Sequence, residues 1–413
     1  MKVCTRLIAV LLLFVVASCG KKKNDQPSES SFVITLDTPA VSGKKIMLKW
    51  SGIEARYISS IYMERSIDTG LNKPPQLLTV NAADTQYTDT LTLNSYVTYR
   101  VRAQVLVNGV GKTIYSNTRV FTRSDIDFLP FVPKDAICDK QTGRIYLISA
   151  IGELAVYDIT TRKVLHKIET GATIMSMFMA THNGKKEIYL SRNDGWVFMY
   201  DPETLDKTDQ LNTEVVPASI VYANGKLFIS SSNVTPGLLT YDRTTKAMLF
   251  DTAYSFANMS LLVLPGTNTD LLGLSSVRYR MNFDANGVMK WAKSSYISSY
   301  SVAPPYALLP GDNRIVCANT GVIFDTGFNY VSTLPRGSVF LRSFEVDADN
   351  AKLYCGTTGQ EVHVYNTSTY MQEKRIITQG SPIKVFYYSG GIYCISTESY
   401  YSGYGVDAFV ERF

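Results

Sequence analysis

Between about Asp125 and Phe413 the apolar positions come in short runs of four to six residues, and the polar breaks between them carry turn-forming residues. At the end of a recurring run stands an aromatic residue followed by Asp or Asn. The pair occurs as Tyr157-Asp158, Tyr200-Asp201, Tyr241-Asp242, Phe283-Asp284, Phe324-Asp325 and Tyr365-Asn366, at steps of 41 to 43 residues. A constant period of that length marks a propeller or another repeat array.

The unit around Tyr200 shows what one repeat contains. Ile174 to Ala180, Glu187 to Ser191, Trp196 to Tyr200 and Leu205 to Leu211 each read as a strand, the last the most polar. Asn183-Gly184, Asn193-Asp194-Gly195 and Asp201-Pro202 separate them, and these are residues that supply positive φ, or the fixed φ of proline, for tight turns. A four-stranded unit of this size cannot bury both faces alone, so such units pack side by side around an axis. In that arrangement the aromatic is a wedge between neighbouring sheets and the Asp caps the turn that follows.

The last unit, Ser381 to Phe413, holds only three strands. Asp125 to Phe131 is the natural outer strand for it, closing the ring and removing exposed sheet edges. The count is then seven blades, with six or eight as neighbouring possibilities.

The start of the chain is of a different kind. Lys2 and Arg6 precede an apolar run from Leu7 to Val16, which is too short to cross a bilayer and has the layout of a secretory signal. Val16-Ala17-Ser18-Cys19 resembles a bacterial lipobox, and that resemblance implies lipidation of Cys19 and anchoring to a membrane. Residues 1–18 are thus expected to be a lipoprotein signal peptide and 19–31, with Lys21-Lys22-Lys23, a flexible tether.

Residues 32–123 lack the repeat phrase and alternate apolar and polar positions at period two, through Ile46 to Trp50, Ile61 to Ser66 and Thr98 to Val105. Such alternation in a block of this length points to a β-sandwich. With Trp50 as the buried strand Trp, Tyr99 to Val105 as the strand facing it, and Tyr115-Ser116-Asn117 at its end, the block resembles a fibronectin type III domain, which in bacterial proteins usually serves as a spacer. The repeats of residues 124–413 resemble seven-bladed propellers of the YVTN and quinoprotein-like class. The expected fold is therefore all-β: a fibronectin type III-like sandwich followed by a seven-bladed β-propeller. The whole layout resembles Bacteroidetes-type envelope lipoproteins, which implies an outer-membrane address on the cell-surface or periplasmic side.

Composition narrows the partners. Removal of the signal takes away Lys2 and Arg6, leaving 39 basic residues against 36 acidic ones, a balance too small and too dispersed for nucleic acid. Cys317, Cys355 and Cys394 fall on second strands of successive repeats, beyond disulfide reach of one another, and with Cys138 read as small buried apolar residues.

Chemistry is sparse. The three histidines, His166, His182 and His363, share no metal-like spacing, and no nucleophile elbow or phosphate loop is present, so no catalytic residue, metal or cofactor is assigned. Aromatic residues in the connections at one end of the expected propeller are the candidate ligand-binding set: Trp196, Tyr254, Tyr296, Tyr300, Tyr400, Tyr401 and Tyr404. Flat rings with hydroxyl edges suit sugars or extended peptides. The function expected is a lipid-anchored, non-catalytic binding protein for a glycan, peptide or envelope protein. A polysaccharide lyase or hydrolase, and a scaffold subunit of an outer-membrane complex, are the alternatives.

Overall fold

A computed structural model describes residues 32–42, 45–67, 75–90, 93, 96–107, 109–122, 126–232, 235–252, 256–266, 269–275, 277–295, 300, 302–311, 313–397 and 407–413. The chain divides into two compact units, one holding most of residues 32–121 and the other Thr122–Phe413.

In the first unit, alternation along the sequence becomes two antiparallel sheets facing each other. One contains Thr35–Leu36, Ala40–Ser42, Lys45–Ser51 and Gln86–Asp89, and the other Gln76–Val80, Ile58–Ile67, Tyr96–Val107, Val110–Tyr115 and Arg119–Thr122. Every second residue of Lys45–Ser51 and of Tyr96–Val107 points inward, so Ile46, Leu48 and Trp50 share one core with Tyr99, Val101 and Val105. A buried ion pair crosses between the sheets: Arg65 Nη1 donates to both oxygens of Asp89 at 2.9 Å, and the Tyr99 hydroxyl donates to Asp89 at 2.9 Å. Asn117 ties down the first strand, its Oδ1 accepting Leu36 N at 2.7 Å and its Nδ2 donating to Leu36 O at 3.0 Å.

The second unit is a propeller of seven four-stranded antiparallel sheets. Blades 1 to 6 occupy residues 135–169, 174–212, 217–251, 260–295, 303–333 and 341–377, each with its strands in chain order. Blade 7 takes its three inner strands from residues 381–412, and its outer strand is Asp127–Phe128, which pairs with Val410 and Phe409. The beginning of the propeller thus closes on its end. Phe128 and Phe409 meet edge to face at 6.0 Å, and Asp127 accepts from the Tyr157 hydroxyl and Arg162, both of blade 1, at 2.8 Å.

The repeat phrase has a physical basis in every blade that carries it. Its aromatic residue is buried, between 0% and 6% exposed across Tyr157, Tyr200, Tyr241, Phe283, Phe324 and Tyr365. Tyr200, Tyr241, Phe283 and Tyr365 each join a core shared with the preceding blade, and Tyr157 joins one shared with blade 7. Burial of this size stabilises by roughly 1.5–3 kcal/mol per side chain. The Asp or Asn that follows accepts backbone N–H groups two to four residues on. Asp158 takes Thr161, Asp201 takes Glu203 and Thr204, Asp242 takes Thr244 and Thr245, Asp284 takes Asn286 and Val288, Asp325 takes Gly327 and Asn329, and Asn366 takes Ser368 and Thr369.

In blade 2 the outer strand is Lys207–Asn212, so the strand expected from Leu205 starts two residues late. Leu205 belongs to the Asp201-capped turn, at φ 59° with its side chain buried, because the apolar residue packs inward from the turn. Outer strands carry little apolar pattern, which makes their starts the least legible.

Candidate functional site

The first strands of the seven blades surround a central cavity of about 790 Å³. Five of them carry a register shift at their beginning: between Ile174 and Ser176, Pro217 and Ser219, Ala303 and Tyr306, Leu341 and Ser343, and Pro382 and Lys384. A bulge of this kind leaves a residue outside the ladder and re-aims its side chain. The residues skipped in these shifts, Met175, Ala218, Pro304 with Pro305, Arg342 and Ile383, all line the cavity. Two of the serines after a skipped residue are themselves tied down: Ser176 N donates to Ser191 Oγ at 2.9 Å, and Ser219 Oγ accepts Leu261 N at 3.2 Å from the next blade.

The lining is mixed in character. Met175, Met177, Phe178, Met259 and Tyr306 supply apolar and polarizable surface. Lys134, Arg342 and Lys384 face one carboxylate, Asp135, so among the described lining residues the positive groups exceed the negative by two. Lys384 Nζ is 2.6 Å from Asp135 Oδ1, whereas Lys134 Nζ donates to the Ile174 carbonyl at 2.7 Å and Arg342 Nη1 to the Pro382 carbonyl at 3.2 Å. The Ile174 carbonyl orients the Lys134 ammonium without cancelling its charge. Desolvation lowers the Lys134 ammonium below its ordinary value, against the opposing pull of Asp135. A cavity with excess positive charge between low-dielectric walls concentrates anions.

A smaller hollow of about 440 Å³ lies at the closing seam, lined by Asp127, Arg162, Tyr393 and Arg412 among others. Its carboxylates are already engaged: Asp127 holds Arg162 and Tyr157, and Glu411 accepts the backbone N–H groups of Gln379 and Gly380.

Of the aromatic set read from the sequence, two members fall within the described residues. Trp196 opens the third strand of blade 2, half-buried, with its ring 6.3 Å from Phe198; that ring in turn lies under Arg192 and Lys207. Tyr300 is 37% exposed, stacks on Tyr330 at 4.7 Å with the planes 5° apart, and meets Phe324 edge-on at 6.1 Å. Tyr254, Tyr296, Tyr400, Tyr401, Tyr404 and Cys19 lie outside the described residues. Sequence reading overlooked the cavity set, although a signal for part of it exists: Ile-Met-Ser, Pro-Ala-Ser and Leu-Arg-Ser open the first strands of blades 2, 3 and 6 at Ile174, Pro217 and Leu341.

The three histidines stand on three different strands. His166 is exposed on an outer strand, and His182 Nδ1 lies 3.1 Å from the Tyr222 hydroxyl. His363 is fully buried, with Nδ1 2.9 Å from the Tyr365 hydroxyl and Nε2 2.9 Å from Glu361. Cys138, Cys317, Cys355 and Cys394 are free thiols, and the last three sit buried on second strands of blades 5, 6 and 7. Burial pushes Cys138 and Cys317 up to about 12, so both are thiols near neutrality. Among the described residues, no group of three or more His, Cys, Asp or Glu is placed to hold a metal ion.

Solved structures share this architecture. Raptor from Chaetomium thermophilum aligns at a TM-score of 0.55 and 10% identity over 69% of this chain and 28% of that one, so the chain spans little more than a quarter of Raptor's length. Hydrazine synthase from Kuenenia stuttgartiensis aligns at 0.54 and 13% identity over 71% of this chain and 97% of that one. The WD40 repeats of RRP9 align at 0.54 and 8% identity over 69% and 96%. What is shared is the propeller fold. No family model matches the chain, and no curated protein matches it.

Proposed function

We propose that this protein is a non-catalytic, lipid-anchored binding protein of the bacterial envelope, whose propeller takes an acidic glycan fragment or peptide into its central cavity. The observation that carries this reading is the cavity itself. At about 790 Å³ it falls within the roughly 300–1,000 Å³ typical of ligand sites. It combines apolar surface with Lys134, Arg342 and Lys384 against the single carboxylate Asp135. A pair of carboxylates, which a glycoside hydrolase of the usual kind requires, is not assembled among the described lining residues.

The amino-terminal sandwich acts in this reading as a fibronectin type III-like spacer. Support comes from its two facing sheets and from Trp50 packed in one core with Tyr99 to Val105. The lipid on Cys19 supplies the membrane attachment, on the strength of the Val16-Ala17-Ser18-Cys19 sequence. The layout as a whole supports a lipoprotein of the Bacteroidetes type.

The test is calorimetric titration of the full chain with a panel of acidic oligosaccharides and peptides, repeated on Ala218→Trp, which fills the cavity from a bulged position, and on Tyr400→Ala/Tyr401→Ala. Loss of binding in Ala218→Trp, with the melting temperature held, is expected. Binding kept by Ala218→Trp but lost in the tyrosine variant moves the ligand to Tyr400 and Tyr401 and overturns the cavity assignment.

A further inference from the structure

Four arginines are buried among the described residues, and three of them face carboxylates. Arg65 is held by Asp89, Arg192 by Asp194, and Arg243 by Glu187 and Asp209. The fourth, Arg278, is only 3% exposed, and among the described residues neither its Nε nor its Nη1 has an acceptor. A guanidinium cannot escape burial by losing its proton, so a desolvated one without a counter-charge is costly.

Its surroundings make the deficit sharper. Arg278 opens the third strand of blade 4, and its guanidinium carbon lies 5.2 Å from the centre of the Phe324 ring of blade 5. Phe324 belongs to an apolar cluster with Cys317 and Val322, against which Val302 and Tyr306 pack. The ionisable groups that feel the Arg278 charge are Cys317 and Tyr306, and burial pushes both up to about 12. Near neutral pH they are therefore a thiol and a phenol, hydrogen-bond donors rather than counter-ions. From Phe324 the rings continue outward through Tyr300 to Tyr330, which are 37% and 47% exposed.

We propose that the seam between blades 4 and 5 is an oxyanion-binding site, in which Arg278 receives the carboxylate or phosphate group of a ligand. The charge-assisted bonds such a group makes are the ones the guanidinium lacks. This site goes beyond the central-cavity reading and does not require it, because the unpaired group is Arg278 and not a member of the cavity's cation set.

The experiment is a thermal-shift titration of the full chain with sodium phosphate, sodium acetate and sodium glucuronate, each at constant ionic strength. Wild type, Arg278→Met and Ala218→Trp are compared. Wild type should gain about 2 °C or more at saturation with at least one anion. Arg278→Met should melt higher than wild type without added anion, since an apolar side chain of similar length relieves the unpaired charge, and should lose the response. Ala218→Trp should keep it. A response to phosphate alone identifies a phosphate-bearing ligand, and a response to acetate or glucuronate a carboxylate-bearing one. Absence of any wild-type response, an equal shift in Arg278→Met, or a melting temperature lowered by Arg278→Met overturns the proposal. The equal shift is what general salt exclusion from the surface produces.

Discussion

At the scale of single residues, the most repeated interaction in the propeller is the side-chain oxygen that closes the turn after each third strand. Asp242 is the clearest case, accepting Thr244 N at 2.9 Å and Thr245 N at 2.8 Å. The Thr245 N–H holds this carboxyl below its ordinary value. A depressed folded value means that the stability is fully present above the unfolded aspartate value near 3.9 and is lost as pH falls through the folded one. Asp242→Asn keeps the acceptor, as Asn366 does naturally, but removes the charge. Melting curves between pH 5 and pH 3 should therefore fall less steeply for Asp242→Asn than for wild type, and equal slopes would contradict the charged cap. Asp242→Ala removes the acceptor altogether and should cost about 1 kcal/mol at pH 7, read from denaturant midpoints.

Between elements, the seams decide stability, since no blade buries both of its faces alone. Blades 2 and 3 are joined by a charge network as well as an apolar core. Arg243 donates to Glu187 at 3.0 and 2.8 Å and to Asp209 at 2.8 Å, and Tyr189 donates to Glu187. Arg243 is 5% exposed. Its removal leaves Glu187 partly buried without its counter-ion, so Arg243→Ala should destabilise by roughly 3–5 kcal/mol. The double variant Arg243→Met/Glu187→Met should lose less than the single one, because it withdraws both charges together. Chemical denaturation of the two variants checks the order, and a double variant weaker than Arg243→Ala would refute it. The same comparison separates this paired arginine from Arg278, whose replacement by Met is expected to stabilise.

For the molecule as a whole, ring closure and anchoring are the properties that matter. Closure rests on a strand of two residues, Asp127–Phe128, reinforced by the Asp127 contacts to Tyr157 and Arg162. The proposed anchoring would rest on Cys19, the expected site of lipid attachment. Cys19→Ser expressed as the full chain should leave the membrane fraction and the detergent phase, while wild type stays in both. Equal partition of the two would remove the lipid from the account.

The sequence by itself determined the repeat, because a buried aromatic and a turn-capping Asp are local demands that every blade meets with the same residue types. Hence Tyr157 through Asn366 announced the period, and the short last unit announced that its missing strand lies before the first. Alternation through Lys45–Ser51 and Tyr96–Val107 likewise gave the sandwich, since period two is what a half-buried strand requires. Only the tertiary structure decided which residues share a cavity or lack a partner. Lys134, Ala218, Arg342 and Lys384 are scattered over 251 positions and meet because seven first strands gather around one axis. Arg278 looks no different in the sequence from Arg243. One meets carboxylates from a neighbouring blade and the other meets a ring, a thiol and a phenol, and that contrast comes from how the blades pack.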